Sequence, residues 1–375
     1  MSQGFAPFYD VNRTYEDNYL QGPFGAFAKV LQEDCGPSAA QSSAPVQTAS
    51  GEDFLGFHVN LPFGIPAGPL LNERFTTAAF RMGFDLAVYK TVRSRAWGCN
   101  AFPNVLAVHP KNADGSLIPG SAELDEGVLA DIRYELPISI SNSFGVPSRD
   151  PDEWQPDMKK AIEAAGSGQL LVPSFQGSRV DGMDQDDYIA DHVTTARLVC
   201  ETGAGLMEMN TSCPNEGHNR LLCHDPHLVG RITEAVKNEI GDRPLVVKLA
   251  YIPNDADLEI MVKETAAHGT VQGFSTINTI SAKLVDAHGN QALPGAGRDR
   301  SGVCGNAIRG AGLDMVGRLH AIREKLGLDF TIVGVGGVVR PEDYRAYREA
   351  GANAVMSATG AMWNANLARD IASSI

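Results

Sequence analysis

Long apolar segments are missing from this chain. The longest apolar runs, such as 170–173 and 331–339, are far too short to span a bilayer. Residues 1–18 contain neither a basic stretch nor an apolar core, so no secretory signal is expected. Six cysteines are spread over 375 residues without a CxxC pair, which favours free thiols in a reducing compartment over a disulfide framework or an iron–sulfur centre. These absences predict a cytoplasmic protein.

Positive charge is also scarce. Lysine and arginine total 31 against 45 aspartate and glutamate residues, and the formal net charge is -14. This balance argues against nucleic acid or an anionic membrane surface as a partner. It leaves room for a local basic pocket that binds a small anion.

From residue 54 onward, short apolar runs alternate with helical patterns. The predicted strands are 61–67, 86–90, 138–141, 170–175, 206–209, 245–249, 273–278, 331–335 and 354–357. The predicted helices between them include 186–202, 226–240, 255–268, 310–325 and 340–350. Such alternation is typical of a buried parallel sheet. About eight units favour a closed barrel, with one or two of the strands left over as hairpin or edge pieces.

The predicted fold class is therefore α/β, a single (β/α)₈ TIM barrel with an irregular N-terminal extension. The barrel is expected over residues 54–375 and the extension over residues 1–53. Within the extension, 36–51 is rich in serine, alanine, glutamine and proline, which is typical of a surface loop or arm.

Polar or small residues follow the apolar runs at many points along the chain. In a (β/α)₈ barrel the carboxyl ends of all strands meet on one face, where catalytic groups lie. An open sheet would scatter several of these positions. The residues that we expect to gather on that face are Gly68, Lys90, Asn142, Asn210, Lys248, Asn278, Gly336 and Thr359.

Small residues close the last two predicted βα turns. Residues 333–339 read Val-Gly-Val-Gly-Gly-Val-Val and precede a helix, and residues 357–360 read Ser-Ala-Thr-Gly. Glycine lets backbone N–H groups approach a phosphate, and a helix N-terminus favours an anion. One such turn alone could be a tight connection, and the spacing does not match the GxGxxG dinucleotide fingerprint. Two such turns after successive strands form the usual phosphate site of a (β/α)₈ barrel, which predicts a phosphate-bearing cofactor.

Lys90 and Lys248 each end an apolar strand. A lysine at such a place is commonly a solvated charge at the rim of the barrel. Lys248, however, lies within Leu-Val-Val-Lys-Leu, where a buried ammonium needs an anionic or polar partner. A reduced flavin ring offers such a partner, because it carries negative charge that a nearby cation stabilises.

Residues 208–215, Glu-Met-Asn-Thr-Ser-Cys-Pro-Asn, place two carboxamides and a thiol at a predicted strand end. Asparagine side chains can match the donors and acceptors of a planar heterocycle. A cysteine among polar donors can act as a base or nucleophile when its pKa falls. The alternative is that Cys213 is a small buried hydrophobic residue, as a free cysteine commonly is. This second interpretation is applied to Cys99, Cys200, Cys223 and Cys304.

The segment 210–215, Asn-Thr-Ser-Cys-Pro-Asn, resembles the catalytic loop of the dihydroorotate dehydrogenase family, in the form whose base is cysteine rather than serine. Further segments resemble motifs of this family in the correct order. They are 65–68 for the first flavin loop, 89–92 for the lysine strand, 141–147 for the substrate loop, 278–279 for a second asparagine–hydroxyl pair, and 301–309 with 334–337 for the flavin phosphate loops. The resemblance covers about residues 60–360.

This resemblance implies an FMN-dependent oxidation of (S)-dihydroorotate to orotate in pyrimidine biosynthesis. Cys213 would remove the C5 proton as general base while the C6 hydride passes to flavin N5. The implied substrate-binding residues are Lys90, Asn142, Phe144, Val146, Asn210, Asn215, Asn278 and Thr279. The implied FMN-binding residues are Ala67, Gly68, Lys90, Thr91, Asn142, Asn210, Lys248, Gly305, Gly336, Gly337, Ala358 and Thr359. No metal site and a homodimer are expected.

The chain departs from the family pattern in two places. Residues 1–50 have no counterpart, and residues 216–223, Glu-Gly-His-Asn-Arg-Leu-Leu-Cys, are more similar to the pyrimidine-reducing domain of dihydropyrimidine dehydrogenases. Dehydrogenation of dihydrouracil or dihydrothymine, another FMN barrel reaction, and a non-catalytic flavin-binding role therefore stay open as alternatives. The electron acceptor is also open: fumarate, a quinone, oxygen, or a partner subunit that carries FAD and an iron–sulfur cluster.

Overall fold

Eight parallel strands close into a barrel in the computed structural model, which describes residues 7–33, 51–212 and 221–375. In chain order the strands are β1 (Glu52–Phe54), β2 (Phe57–Val59), β3 (Phe63–Ile65), β4 (Leu86–Val92), β5 (Ala107–His109), β6 (Val128–Asp131), β7 (Ser139–Asn142), β8 (Leu170–Phe175), β9 (Met207–Asn210), β10 (Leu245–Leu249), β11 (Gly273–Thr276), β12 (Ile280–Val285), β13 (Arg300–Gly305), β14 (Thr331–Val335) and β15 (Ala354–Met356). Around the barrel they run β3, β4, β8, β9, β10, β11, β14 and β15, each parallel to its neighbours. The predicted barrel is confirmed.

Every barrel strand is followed along the chain by at least one helix. The helices are α1 (Tyr15–Gln21), α2 (Gly25–Gln32), α3 (Glu73–Arg81), α4 (Glu123–Glu126), α5 (Pro151–Glu163), α6 (Gln185–Cys200), α7 (Pro226–Ile240), α8 (Asp255–Glu264), α9 (Arg309–Leu326), α10 (Pro341–Glu349), α11 (Thr359–Trp363) and α12 (Leu367–Ala372). Helix α7 has its predicted bounds, because Asp225 caps its first turn and Gly241 follows its last residue. The helix predicted over 255–268 instead ends at Glu264, and a 3₁₀ turn, Ala266–His268, follows it.

The side chains of the barrel strands alternate between two cores. Along β4, Leu86 and Val88 point into the barrel, where they belong to the same cluster as Val333. Ala87 and Tyr89 face the other way and join the cluster between the barrel and its helices. All seven residues of β4 are buried, which explains the nearly continuous apolar pattern of the strand in the sequence.

A second, five-stranded sheet closes on itself in the order β12, β13, β7, β5 and β6. Strands β5, β6 and β7 are inserted between β4 and β8, and β12 and β13 between β11 and β14. Because both insertions leave the barrel at the carboxyl end of a strand, the second sheet lies on the face where the active site was predicted. The strand predicted at 138–141 therefore exists as β7, but it pairs with β13 and not with the barrel.

Residues 7–33, here called the N-terminal arm, pack against the barrel. The ring of Phe8 stacks on Phe27 with centroids 4.2 Å apart, and it meets Phe75 of α3 edge-on at 6.4 Å. The backbone oxygen of Tyr19 accepts a hydrogen bond from the Asn72 side chain at 2.9 Å. The two helices of the arm, α1 and α2, were not predicted from the sequence.

In the described ranges, no helix combines the length and the apolar character needed to cross a membrane.

Candidate active site

A cavity opens at the carboxyl ends of the barrel strands, between the barrel, the second sheet and the N-terminal arm. It encloses about 1100 Å³ of space between atoms, part of which is open solvent. Within the described ranges, every residue predicted to bind substrate or cofactor lines this cavity. They are Ala67, Gly68, Lys90, Thr91, Asn142, Phe144, Val146, Asn210, Lys248, Asn278, Thr279, Gly305, Gly336, Gly337, Ala358 and Thr359. The predicted base Cys213 and the predicted ligand-binding Asn215 lie outside the described residues.

Two ammonium groups face this cavity. Lys248 is only 3% exposed, and its ammonium makes no hydrogen bond or ion pair with any residue that the structure describes. Lys90 is also buried, and its Nζ lies 3.5 Å from the backbone oxygen of Thr91. Among the described residues the Lys248 ammonium has no partner, so it is available to an anionic or polar ligand in the cavity.

A chain of hydrogen-bonded side chains orients two of the asparagines. Asn278 Nδ2 donates to Ser212 Oγ at 2.8 Å, and Ser212 Oγ donates to Asn210 Oδ1 at 3.1 Å. Asn210 Nδ2 in turn donates to Gln176 Oε1 at 2.7 Å. With its amide turned over, Gln176 would instead accept from Arg93 Nη1 and Nη2 at 3.1 and 2.8 Å, and Asn210 would have to present its oxygen. The hydrogen-bonding edge that Asn210 offers the cavity is thus coupled to Gln176.

The end of β7 brings Asn142 to the cavity, and the loop that follows it holds Phe144 and Val146 there in a constrained backbone. Val146 has a positive φ of 49°, a region that a β-branched residue seldom adopts. Arg93 Nε donates to the backbone oxygen of Val146 at 3.0 Å. Arg298 Nη2 donates to Ser143 Oγ at 2.7 Å from the other side. Buried arginine contacts therefore fix this loop before any ligand binds.

Another part of the cavity is lined by the backbone of the turns that follow β14 and β15. Gly336 and Gly337, with φ of 127° and 68°, follow β14, and Ala358 and Thr359 follow β15. Tyr347 Oη donates to the backbone oxygen of Gly336 at 2.7 Å, which holds the turn in place. A side chain at Gly337 would overlap Arg309, so the turn has no room for one. A glycine-lined turn of this kind suits a phosphate, and the phosphate site stays a prediction.

Some cavity residues were not among the predicted site residues. Tyr9 and Tyr15 come from the N-terminal arm, and no local signal in the sequence marks them as site residues. Cys304, interpreted as a small buried hydrophobic residue, also lines the cavity, and its Sγ accepts from Thr359 Oγ1 at 3.5 Å. Burial raises the pKa of the Cys304 thiol to about 11, so it stays protonated. Its position within β13, inside the segment 301–309 that resembles a flavin phosphate loop, was a usable signal.

In the described part of the chain, histidine, cysteine, aspartate and glutamate side chains form no group of three or more that could hold a metal ion.

Comparisons with known proteins point to one family. The family model described as dihydroorotate dehydrogenase matches residues 96–375. The dihydroorotate dehydrogenase of Dictyostelium discoideum is 33% identical over 372 residues, which span 96% of this chain and 95% of that protein. The dihydroorotate dehydrogenase B (NAD(+)) catalytic subunit of Thermodesulfovibrio yellowstonii is 27% identical over 228 residues, 60% of this chain and 68% of that one.

A solved structure shares the fold. The crystal structure of DHODH in complex with ferulenol from Eimeria tenella has a TM-score of 0.66 and 16% sequence identity to this chain. The match covers 92% of this chain and 88% of that one.

Proposed function

The chain belongs to the dihydroorotate dehydrogenase family, whose members are oxidoreductases acting on CH–CH bonds, and on this premise we propose that it oxidises (S)-dihydroorotate to orotate in pyrimidine biosynthesis. The observation that carries the proposal is the meeting of Asn142, Asn210 and Asn278 with Lys90 at one cavity. Carboxamides from three separate segments suit the alternating donors and acceptors of a pyrimidine ring. The Lys90 ammonium suits the carboxylate that distinguishes dihydroorotate from simpler dihydropyrimidines.

The residues of the cavity fit FMN as the cofactor. Lys248 provides a buried cation without a partner among the residues that the structure describes, as expected for a group that stabilises negative charge on a flavin ring. The Gly336–Gly337 turn and the Ala358–Thr359 turn would hold the phosphate through backbone N–H groups. When bound, FMN supplies the group that accepts a hydride from the substrate.

We assign the general base to Cys213, which lies outside the described residues. The support is its place in the segment 210–215. Cys213 directly follows Ser212, which is hydrogen-bonded to Asn278, and it lies three residues after Asn210, which lines the cavity. As a thiolate, Cys213 would take the proton from C5 of the substrate, while the hydride leaves from C6 and the C5–C6 double bond forms. The remaining side chains hold the ring in place for both transfers.

Anaerobic reduction of the bound flavin tests the proposal. The purified protein is expected to be yellow and to lose its flavin absorbance when mixed with dihydroorotate, without any added electron acceptor. Dihydrouracil and dihydrothymine should reduce it far more slowly, because they lack the carboxylate that Lys90 binds. Rapid bleaching by either of these two compounds, with none by dihydroorotate, would overturn the substrate assignment in favour of another dihydropyrimidine.

The resemblance to the family also leads us to propose a homodimer. Sedimentation equilibrium of the holoenzyme would measure its mass against the 40.0 kDa of a single chain.

A further inference from the structure

Two tyrosines of the N-terminal arm reach the active-site cavity from outside the barrel. Tyr9 and Tyr15 line it together with Phe144, which belongs to the loop after β7. The ring of Tyr9 meets Phe144 edge-on at a centroid distance of 5.7 Å, and that of Tyr15 does so at 6.2 Å. The three rings form a continuous aromatic wall on the side of the cavity that the arm closes.

The hydroxyl groups of both tyrosines have no hydrogen-bond partner in the part of the chain that the structure describes. The residues are 3% and 8% exposed, yet neither hydroxyl makes a hydrogen bond with a residue in the described ranges. Burial raises the pKa of both phenols above the ordinary value, so both remain neutral hydrogen-bond donors. Each hydroxyl is therefore available to donate to a ligand oxygen in the cavity.

The arm is held firmly enough to present these groups at fixed positions. Arg149 Nη2 donates to both carboxylate oxygens of Glu16, at 2.6 and 2.7 Å, and its guanidinium lies over the ring of Tyr19, 4.3 Å from the centroid. Arg74 Nη2 donates to the backbone oxygens of Tyr19 at 2.7 Å and Leu20 at 2.9 Å. These contacts fix α1 against α3 and against the segment between β7 and α5.

The tyrosines lie in the part of the cavity that also holds Lys90. All three side chains line the active-site cavity, and Tyr15 and Lys90 also line a smaller cavity together with Tyr89. Two neutral donors beside a cation form a setting for a carboxylate, since charge-assisted hydrogen bonds to ionised oxygen are the strongest that proteins make.

We propose that Tyr9 and Tyr15 are specificity-determining residues, whose hydroxyls donate hydrogen bonds to the carboxylate of the substrate, and that the N-terminal arm is the outer wall of the substrate site. The inference rests on the proposed function, because it assigns the carboxylate of a pyrimidine ligand to these donors. It gives the arm a direct part in selecting dihydroorotate over dihydropyrimidines that lack the carboxylate.

The test uses the full-length holoenzyme and its Tyr9→Phe, Tyr15→Phe and double variants. Phenylalanine keeps the ring packed against Phe144 and removes only the hydroxyl. The matched control is Tyr19→Phe, on the same helix as Tyr15 but outside the lining of the cavity. Perturbation of the flavin spectrum gives the dissociation constants of orotate and of uracil for each protein, and stopped-flow bleaching gives the concentration dependence of reduction by dihydroorotate.

We expect each Tyr→Phe substitution to weaken orotate binding about tenfold or more, as for a hydrogen bond to a charged group. Uracil binding and the limiting reduction rate should change little, and Tyr19→Phe should match wild type. Unchanged orotate affinity in the double variant would overturn the inference while leaving the proposed function intact. Equal losses for orotate and uracil would also overturn it, because they would indicate a structural effect. A wild-type protein that neither binds orotate nor is reduced by dihydroorotate would instead sink the proposed function and, with it, this inference.

Discussion

Replacing Lys248 by methionine should have opposite effects on the protein with and without its cofactor. Methionine has nearly the same length and keeps the packing of the lysine stem in β10, but it removes the ammonium. Lys248 is 3% exposed, and its ammonium has no partner among the described residues. With FMN bound, the same group would be the cation that faces the ring. The substitution therefore separates a functional charge from a stabilising one.

The expected magnitudes follow from these two environments. Replacing buried ionic groups by apolar residues of similar volume is neutral or stabilises proteins by about 1–4 kcal/mol. For 375 residues the entropy of unfolding is about 0.8 kcal/mol per kelvin, so the flavin-free variant should melt roughly 1–5 °C above flavin-free wild type. With cofactor, loss of a charged hydrogen bond costs about 1.5–3 kcal/mol. That corresponds to FMN binding weakened roughly 10- to 150-fold.

Thermal unfolding of flavin-stripped and reconstituted protein, with fluorescence titration of FMN, measures both effects. The control is Lys159→Met, an exposed lysine of α5, which should change neither quantity. The reduction potential of the bound flavin should also fall in Lys248→Met, because the reduced ring loses its nearby cation. If flavin-free Lys248→Met melted below flavin-free wild type, Lys248 would support the fold. If the variant bound FMN as tightly as wild type, Lys248 would not serve the cofactor.

Three further outcomes are expected. Cys213→Ala should keep FMN and bind orotate, but dihydroorotate should reduce its flavin about 10²–10⁴ times more slowly than in wild type. Cys213→Ser should keep some activity that rises with pH. If Cys213→Ala were bleached in a single turnover as fast as wild type, Cys213 would not be the base. Gly336→Val should expel FMN, because the φ of 127° at this position strains any side chain and the new Cβ would lie 3.2 Å from Ile308. The control Gly310→Ala, whose Cβ would lie in open space, should retain the cofactor. The flavin content of each folded variant measures the difference. Burial lowers the pKa of His192 from 6.5 to about 4, so the unfolded chain binds a proton first as the pH falls. About 3 kcal/mol of the free energy of unfolding should be lost between pH 6.5 and 4. Denaturant unfolding of His192→Gln should show a free energy that depends less on pH than that of wild type. The same pH dependence in both proteins would show that His192 is not its source.

The barrel could be predicted because its strands are buried on both faces. Strands β10 and β14 have the bounds expected from 245–249 and 331–335, since each is an almost unbroken apolar run. The second sheet could not be predicted in this way. Strands β5 and β6 have only three and four residues, too short for periodicity to appear. For 138–141 the strand was predicted correctly, but an apolar pattern does not say which partner a strand pairs with.

The predicted site follows from one geometric rule, that the strands of a parallel barrel all end on the same face. Residues to which this rule does not apply were not predicted. Lys90, Asn210 and Lys248 could be grouped from the sequence because parallel barrel strands end on a common face. Asn142 was grouped with them for a partly mistaken reason, since β7 reaches the cavity through the second sheet. Tyr9 and Tyr15 obey no such rule. Their place depends on how the arm packs on α3 and Arg149, which is tertiary information.

The pairing of β7 with β13 has a consequence for the newly made chain. Ile140 pairs with Cys304, so one wall of the cavity is complete only when residues far apart in the sequence meet. At about 5–20 residues per second, a ribosome needs roughly 8–30 s to make the intervening stretch. During that time the edge of β7 that β13 later covers has no strand beside it, and an open edge readily pairs with another chain. Chaperone demand and aggregation in the cell should therefore depend on how fast residues 143–305 are translated, even for variants whose finished structure is fully stable.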